Sequence, residues 1–131
     1  MDETNKPQLR VIIVDDDDDS RDMLAELVRL YGHIPIAANC AAEAMELITP
    51  NVPDLGFIDI SLADVDGCEL IRRIRSRVEG AKIRLVALTG HSDDVTRQQA
   101  KLAGCDDYWV KPISLPNLTA LFEDACSQTC S

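Results

Sequence analysis

The chain has little aromatic content: Phe, Tyr and Trp make up 4% of its 131 residues, so its core must be aliphatic. It is short of basic residues, with 13 Lys and Arg against 23 Asp and Glu and a net charge of −10. That deficit argues against nucleic acid or an anionic membrane as the main partner and suits cations and basic protein patches. Its five cysteines, Cys40, Cys68, Cys105, Cys126 and Cys130, include no CxxC spacing. Cys126 and Cys130 lack the histidines or second pair that a zinc site needs. They read as free thiols of a reducing compartment. No apolar run approaches the roughly 20 residues of a membrane helix. The start, MDETNKPQ, is polar and acidic and does not read as a signal peptide. The expectation is a cytoplasmic, soluble protein. What is present, 46% apolar and 27% charged residues over this length, fits one folded domain.

Strand and helix patterns alternate five times. Leu9–Val14, Ile34–Ala38, Leu55–Ile58, Ile83–Leu88 and Asp107–Val110 read as strands. Leu24, Leu27, Val28 and Tyr31 form a helical stripe that Gly32 stops. Ala41, Ala44, Met45 and Ile48 form a second, closed by Pro50 and Pro53. Leu70, Ile71, Ile74 and Val78 form a third, and Leu118, Leu121, Phe122 and Ala125 the last. The fourth helix, about Asp93–Ala103, has a thin apolar face of Val95, Ala100, Leu102 and Ala103. This alternation predicts a parallel sheet with helices on both faces, joined by right-handed crossovers. Ligands of such sheets sit outside the carboxyl ends of the strands. The conspicuous polar residues lie there: Asp15 and Asp16 after the first strand, Asp59 after the third, Thr89 after the fourth and Lys111 after the fifth.

Three carboxylates brought to one site repel each other, and a hard divalent cation relieves the repulsion. Mg2+ prefers oxygen ligands, including one or two carboxylates and phosphate oxygens. A lysine offers fixed positive charge to a phosphoryl group, and a threonine hydroxyl a hydrogen bond. An aspartate can be the nucleophile that becomes an acyl phosphate. Such a transfer needs mainly positioning and charge neutralisation.

Four motifs in order, VIIVDDDDDSRDML, PDLGFIDISLADVDG, LVALTG and AGCDDYWVKP, resemble the receiver domain of two-component response regulators. The resemblance covers roughly Leu9 to Phe122. It implies a flavodoxin-like doubly wound α/β fold, with a five-stranded parallel sheet in the order 2-1-3-4-5 and five helices. Residues 1–8 would be an N-terminal extension, 9–126 the receiver domain and 127–131 a tail. It implies that Asp59 is the phosphoacceptor, with catalytic partners Thr89 and Lys111. The metal ligands would be Asp16 directly, Asp15 largely through water, Asp59, and the backbone carbonyl of Ser61. The cofactor would be Mg2+, for which Mn2+ can substitute. Thr89 and Tyr108 would form the switch, and the Lys111–Pro112 bond would be cis. The phosphodonor would be a histidine kinase or a histidine phosphotransfer domain. A downstream protein would read the face of the fourth helix, fifth strand and fifth helix. The domain would be a monomer or a phosphorylation-dependent dimer, without direct nucleic-acid or membrane contact. It would be a signalling domain that catalyses only its own phosphorylation and dephosphorylation. No DNA-binding or catalytic output domain is expected within these 131 residues, which fits a stand-alone regulator, a phosphorelay intermediate or a receiver cut from a hybrid kinase.

The chain departs from the family pattern in places. Ala63 stands where many members have proline, which predicts a less rigid loop. His91 and Ser61 occupy positions that tune the lifetime of the phosphorylated state, and Trp109 is an unusual neighbour for Tyr108. Other acids have plainer readings. Asp17, Asp18 and Asp19 precede a helix, where Asp19 or Ser20 can cap. Asp64 and Asp66 fit a turn before Gly67, and Asp106 and Asp107 a solvated strand entry. The thin fourth helix reads either as a simply exposed helix or, in the favoured reading, as a loosely held element that moves when Thr89 and Tyr108 rearrange. Three rival functions compete. A haloacid-dehalogenase-like Mg2+-dependent phosphatase would use Asp15 and Asp17 as DxD, but Asp19 follows where Thr or Val is needed. A calcium loop would use Asp15, Asp17, Asp19 and Glu26, but Ser20 stands where Gly is needed. A flavin-binding domain would need a Ser/Gly-rich phosphate loop after the first strand, which is missing.

Overall fold

The computed structural model describes residues 8–50, 52–62, 64–77, 82–90 and 93–130, the side chains of 128–130 excepted. Val78, Ala63, His91, the Cys130 side chain, residues 1–7 and residue 131 lie outside the described residues.

Five strands alternate with five helices: β1 (Arg10–Val14), α1 (Asp18–Leu30), β2 (Ile34–Ala38), α2 (Ala41–Ile48), β3 (Leu55–Asp59), α3 (Gly67–Arg75), β4 (Arg84–Thr89), α4 (Asp94–Ala103), β5 (Asp107–Val110) and α5 (Leu115–Cys130). The strands form one parallel sheet in the order β2-β1-β3-β4-β5. Chain order reverses between β1 and β3, and this switch point opens a crevice at the carboxyl edge.

β3 is buried along its whole length, and the neighbouring β1 and β4 are buried except at their first residues. This explains their unbroken aliphatic sequences, since both faces of the central sheet are covered. On one face, α2, α3 and α4 enclose Ile12, Val14, Ile58, Ile71, Ile74, Leu85 and Ala87. On the other, α1 and α5 cover Ile13, Phe57, Val86 and Leu88 with Leu24, Val28, Leu118, Leu121 and Phe122. Each fully buried Ile or Leu contributes about 2 kcal/mol through loss of apolar surface from water.

Among the described residues the stripes of α3 and α5 are buried, and those of α1 and α2 are buried except for Leu27, Tyr31 and Met45, which are half-buried. The fourth stripe is narrower than expected. Ala100 and Ala103 face the core, but Val95 is 66% and Leu102 85% exposed. Seven residues apart, Val95 and Leu102 stack on one outward face, whereas the two alanines occupy the inward face. α4 is thus held by methyl groups alone among its buried residues.

Candidate functional site

The sheet delivers the predicted residues to one edge. Asp15 follows β1 and is tied to β2 by its N–H, which donates to the Ala38 carbonyl. Asp59 ends β3 opposite Leu88. Thr89 ends β4 opposite Val110, and its carbonyl accepts from the Lys111 N–H at 2.7 Å. Asp15, Asp59 and Thr89 are 2%, 6% and 3% exposed, which is unusual burial for acids.

One cation joins the two buried carboxylates. Lys111 Nζ donates to Asp59 Oδ2 at 3.0 Å and to Asp15 Oδ2 at 3.1 Å. The second oxygen of each acid is held by backbone. Asp59 Oδ1 accepts from the Ser61 N–H at 2.8 Å, and Asp15 Oδ1 from the Asp17 N–H at 2.9 Å. Arg21 steadies the turn by donating to the Asp15 carbonyl at 2.9 Å. Burial pushes the Asp15 carboxyl above its usual range, aided by the charge of Asp59 and opposed by the Asp17 N–H and Lys111. Burial disfavours the Lys111 charge, but hydrogen bonds to Asp59 and Asp15 outweigh it and the ammonium titrates above its usual value.

Asp16 is exposed, beside the two buried acids. One carboxylate oxygen from each of Asp15, Asp16 and Asp59 lies within 4.8 Å of the others. Three hard oxygen donors against one ammonium leave negative charge over. The donor set therefore fits a hard divalent cation such as Mg2+, with Asp15, Asp16 and Asp59 as the residues that would hold it.

Gly67 is dictated by this edge. A Cβ there would lie 2.3 Å from the Asp59 carbonyl oxygen and 2.6 Å from Ile60 Cα. Its N–H donates to the Ile60 carbonyl at 2.9 Å, so α3 begins directly on the backbone of Asp59 and Ile60. Only a residue without a side chain permits that approach.

The remaining acids separate cleanly. Asp17, not Asp19 or Ser20, caps α1: its carboxylate accepts from the Ser20 N–H at 2.9 Å, because the helix begins at Asp18. That hydrogen bond holds the Asp17 carboxyl below its usual range. Asp18 pairs with Arg21. The phosphatase reading needs Asp17 as the second acid of its DxD, and the calcium loop needs both Asp17 and Asp19, but Asp17 is spent on the cap of α1 and Asp19 lies in its first turn. Asp66 caps α3 through the Cys68 N–H, and Asp64 reaches α2 instead of closing a turn. Asp106 and Asp107 sit at a solvent-exposed strand entry, as expected, but they are also engaged in ion pairs and hydrogen bonds. Asp106 bonds Arg75 and the Leu85 N–H, and Asp107 bonds Arg84. Arginines distant in sequence supply these partners, so no local pattern reveals them. Tyr108 is half-buried against the α2–α3–α4 side of the core. Trp109 packs on the other side, its ring 5.8 Å from that of Phe57. The Lys111–Pro112 peptide is cis.

The comparison with known proteins agrees with this fold. The response regulator receiver domain family matches residues 11–123. The chain belongs to that family. It is 34% identical over 119 residues to the "Uncharacterized 14.6 kDa protein in sodA1 3'region" of Leptolyngbya boryana, covering 91% of each chain. It is 35% identical over 113 residues to the response regulator MprA of Mycobacterium sp. (strain KMS), covering 86% of this chain and 48% of that protein. The chain thus matches about half the length of MprA. A two-component response regulator from Clostridium difficile superposes with a TM-score of 0.86 at 30% identity, over 95% of this chain and 100% of that one. The match to the receiver family runs from β1 into α5.

Proposed function

We propose that this receiver domain is a phosphorylation switch that accepts a phosphoryl group on Asp59 from the phosphohistidine of a histidine kinase or phosphotransfer domain. The observation that carries the reading is the shared cation. A buried Asp59 carboxylate, in contact with Lys111 and flanked by Asp15, sits at the carboxyl edge beside Thr89. An Asp59 oxygen attacks phosphorus, the phosphorus–nitrogen bond breaks, and the donor imidazole leaves with the electron pair. The product is an aspartyl phosphate. Asp15, Asp16, Asp59 and the Ser61 carbonyl would hold Mg2+ (or Mn2+), which supplies neutralisation of the phosphoryl oxygens. Lys111 then turns from the carboxylates to the phosphoryl group, and the Thr89 hydroxyl donates to another phosphoryl oxygen.

A groove of about 450 Å3 opens beside this edge, lined by Met23, Leu24, Leu27, Pro112 and Ile113 as well as Asp15 and Lys111. Its apolar walls and charged end suit a donor helix presenting a phosphohistidine. The weak anchoring of α4 supports a switch in which Thr89 and Tyr108 rearrange and change the α4–β5–α5 face for a downstream protein. We take residues 9–126 as the working domain, cytoplasmic like its proposed donor, and monomeric or dimerising on phosphorylation. Among the described residues no helix is long and apolar enough to cross a membrane.

The test is incubation with acetyl phosphate and Mg2+ followed by intact mass. One phosphoryl adduct is expected, abolished by chelation and by Asp59→Asn. An adduct that survives Asp59→Asn overturns the assignment. Amide exchange in α4 should quicken or slow on phosphorylation, and identical protection would remove the switch.

A further inference from the structure

Helix α2 begins without a cap of its own. Cys40 stands at its N-cap in extended backbone (φ −157°, ψ 168°), and its side chain makes no capping hydrogen bond. The first N–H groups of a helix need acceptors from elsewhere. Here they come from another loop: Asp64 Oδ1 accepts from the Ala41 N–H at 3.1 Å and Asp64 Oδ2 from the Ala42 N–H at 3.2 Å. Asp64 Oδ1 also accepts from the Val65 N–H at 2.9 Å. The Ala41 N–H above all holds the Asp64 carboxyl below its usual range, as befits an engaged, ionised group.

Asp64 lies in the connection between β3 and α3, the segment that carries Ser61. The two ends of that segment are pinned independently. Near β3, the Ser61 N–H grips Asp59 Oδ1; near α3, Asp66 caps the helix and Gly67 bonds Ile60. Asp64 is the tether between those ends, and it is fastened to a different helix. A serine or aspartate at position 40 would cap α2 locally and leave the loop untied. The cysteine makes the two structures depend on one carboxylate.

We propose that Asp64 is a positioning residue for the metal site: by clamping the β3–α3 loop to α2, it fixes the Ser61 carbonyl and so sets the affinity for Mg2+. This rests on the reading of Asp59 as a phosphoacceptor beside Mg2+. Residues one step behind the ligands commonly control metal affinity in this way.

The structural and positioning roles separate in a pair of variants, Asp64→Ala alone and Asp64→Ala combined with Cys40→Ser. The second restores a local cap to α2 but not the tether. Mg2+ affinity is measured by titration calorimetry where every variant is fully folded. Amide exchange of residues 60–62 and 64–66 is measured without metal. Asp64→Ala is expected to weaken Mg2+ binding about tenfold and to speed loop exchange. Adding Cys40→Ser should slow exchange at the start of α2 and leave Mg2+ affinity and loop exchange at the values of the single variant. Unchanged affinity in Asp64→Ala, or wild-type affinity in the double variant, overturns the proposal. A wild-type protein that binds no Mg2+ overturns the reading of the Asp59 site itself, a result independent of any difference between variants.

Discussion

The two ends of the sheet use the same residue types to opposite effect. At the carboxyl edge, Asp15, Asp16 and Asp59 converge around one ammonium, Lys111. At the amino edge, Arg75 and Arg84 face Asp106, Asp107 and Asp124. Arg75 also donates to the carbonyls of Gly104 and Ile83, closing α3 onto the end of α4 and the start of β4. Arg84 ties β4 to β5 and α5 through Asp107 and Asp124. Charge at that end is spent on rigid, planar donor sets matched to fixed acceptors. At the other end, the acids outnumber the cation and the single Lys is a mobile point charge. The difference teaches where the molecule stores stability and where it keeps an unsatisfied electrostatic demand. The amino edge anchors α4 at Gly104, while the opposite end of α4 lies toward Thr89 with little apolar grip.

Lys111→Met should break this contrast most severely. It leaves two buried carboxylates facing each other without a cation. Losing one partner of a buried pair costs about 3–5 kcal/mol, and the 28% exposure of the Lys111 side chain lowers the expectation to about 2–3 kcal/mol. Urea unfolding in chelator measures the loss. Because the demand is for positive charge at that point, millimolar Mg2+ should recover much of it. A loss that ignores Mg2+ would mean that Lys111 acts by packing.

Arg75→Ala should cost somewhat less, about 2 kcal/mol, from two carbonyls and a carboxylate deprived of a donor. Water reaches part of this site, since nearly half of the Asp106 side chain is exposed. Here Mg2+ should recover nothing. Equal Mg2+ rescue of Lys111→Met and Arg75→Ala would erase the distinction between the two edges. Amide exchange in Arg75→Ala should rise first at Gly104 and Cys105, where the guanidinium holds the end of α4.

The contrast also explains what the sequence could disclose. Five alternations of pattern and five strand ends place Asp15, Asp16, Asp59, Thr89 and Lys111 at one edge before any coordinates are known, because a parallel sheet has two ends and connections fix which residues occupy each. The aliphatic stripes of α1, α3 and α5 were equally readable. The amino edge was opaque. Arg75 meets Asp106 across 31 residues and Arg84 meets Asp124 across 40, so no local spacing records either pair. Asp64 was hidden for the same reason: in sequence it belongs to a turn before Gly67, in space it belongs to α2. In α4 the apolar letters misled, since helical phase puts Val95 and Leu102 away from the alanines that pack. In α1 the helix begins two residues earlier than the capping signal at Asp19 suggests, and the cap moves to Asp17.

The smallest expected effect tests whether pH sensitivity belongs to the acid edge alone. His33, before β2, is buried against α5, its ring 4.7 Å from that of Phe122. Its Nδ1 accepts from the Leu9 N–H at 3.1 Å, so that nitrogen carries no proton and the ring is neutral. Burial lowers its pKa from 6.5, with the Asp54 charge opposing. In the unfolded chain His33 therefore binds its proton at higher pH than in the fold. The contribution is complete above pH about 6.5 and is lost as pH falls from there through the lower folded value, because the unfolded state takes up the proton first. Protonation at Nδ1 also removes the acceptor for Leu9, a hydrogen bond of about 1 kcal/mol. His33→Phe should lower stability at neutral pH by a similar amount and flatten the slope below pH about 6.5. Urea unfolding across that range in chelator, wild type against variant, measures both. If the slope survives the substitution, the site acids or another group set it, and the two edges differ in charge balance but not in where the fold first yields to acid.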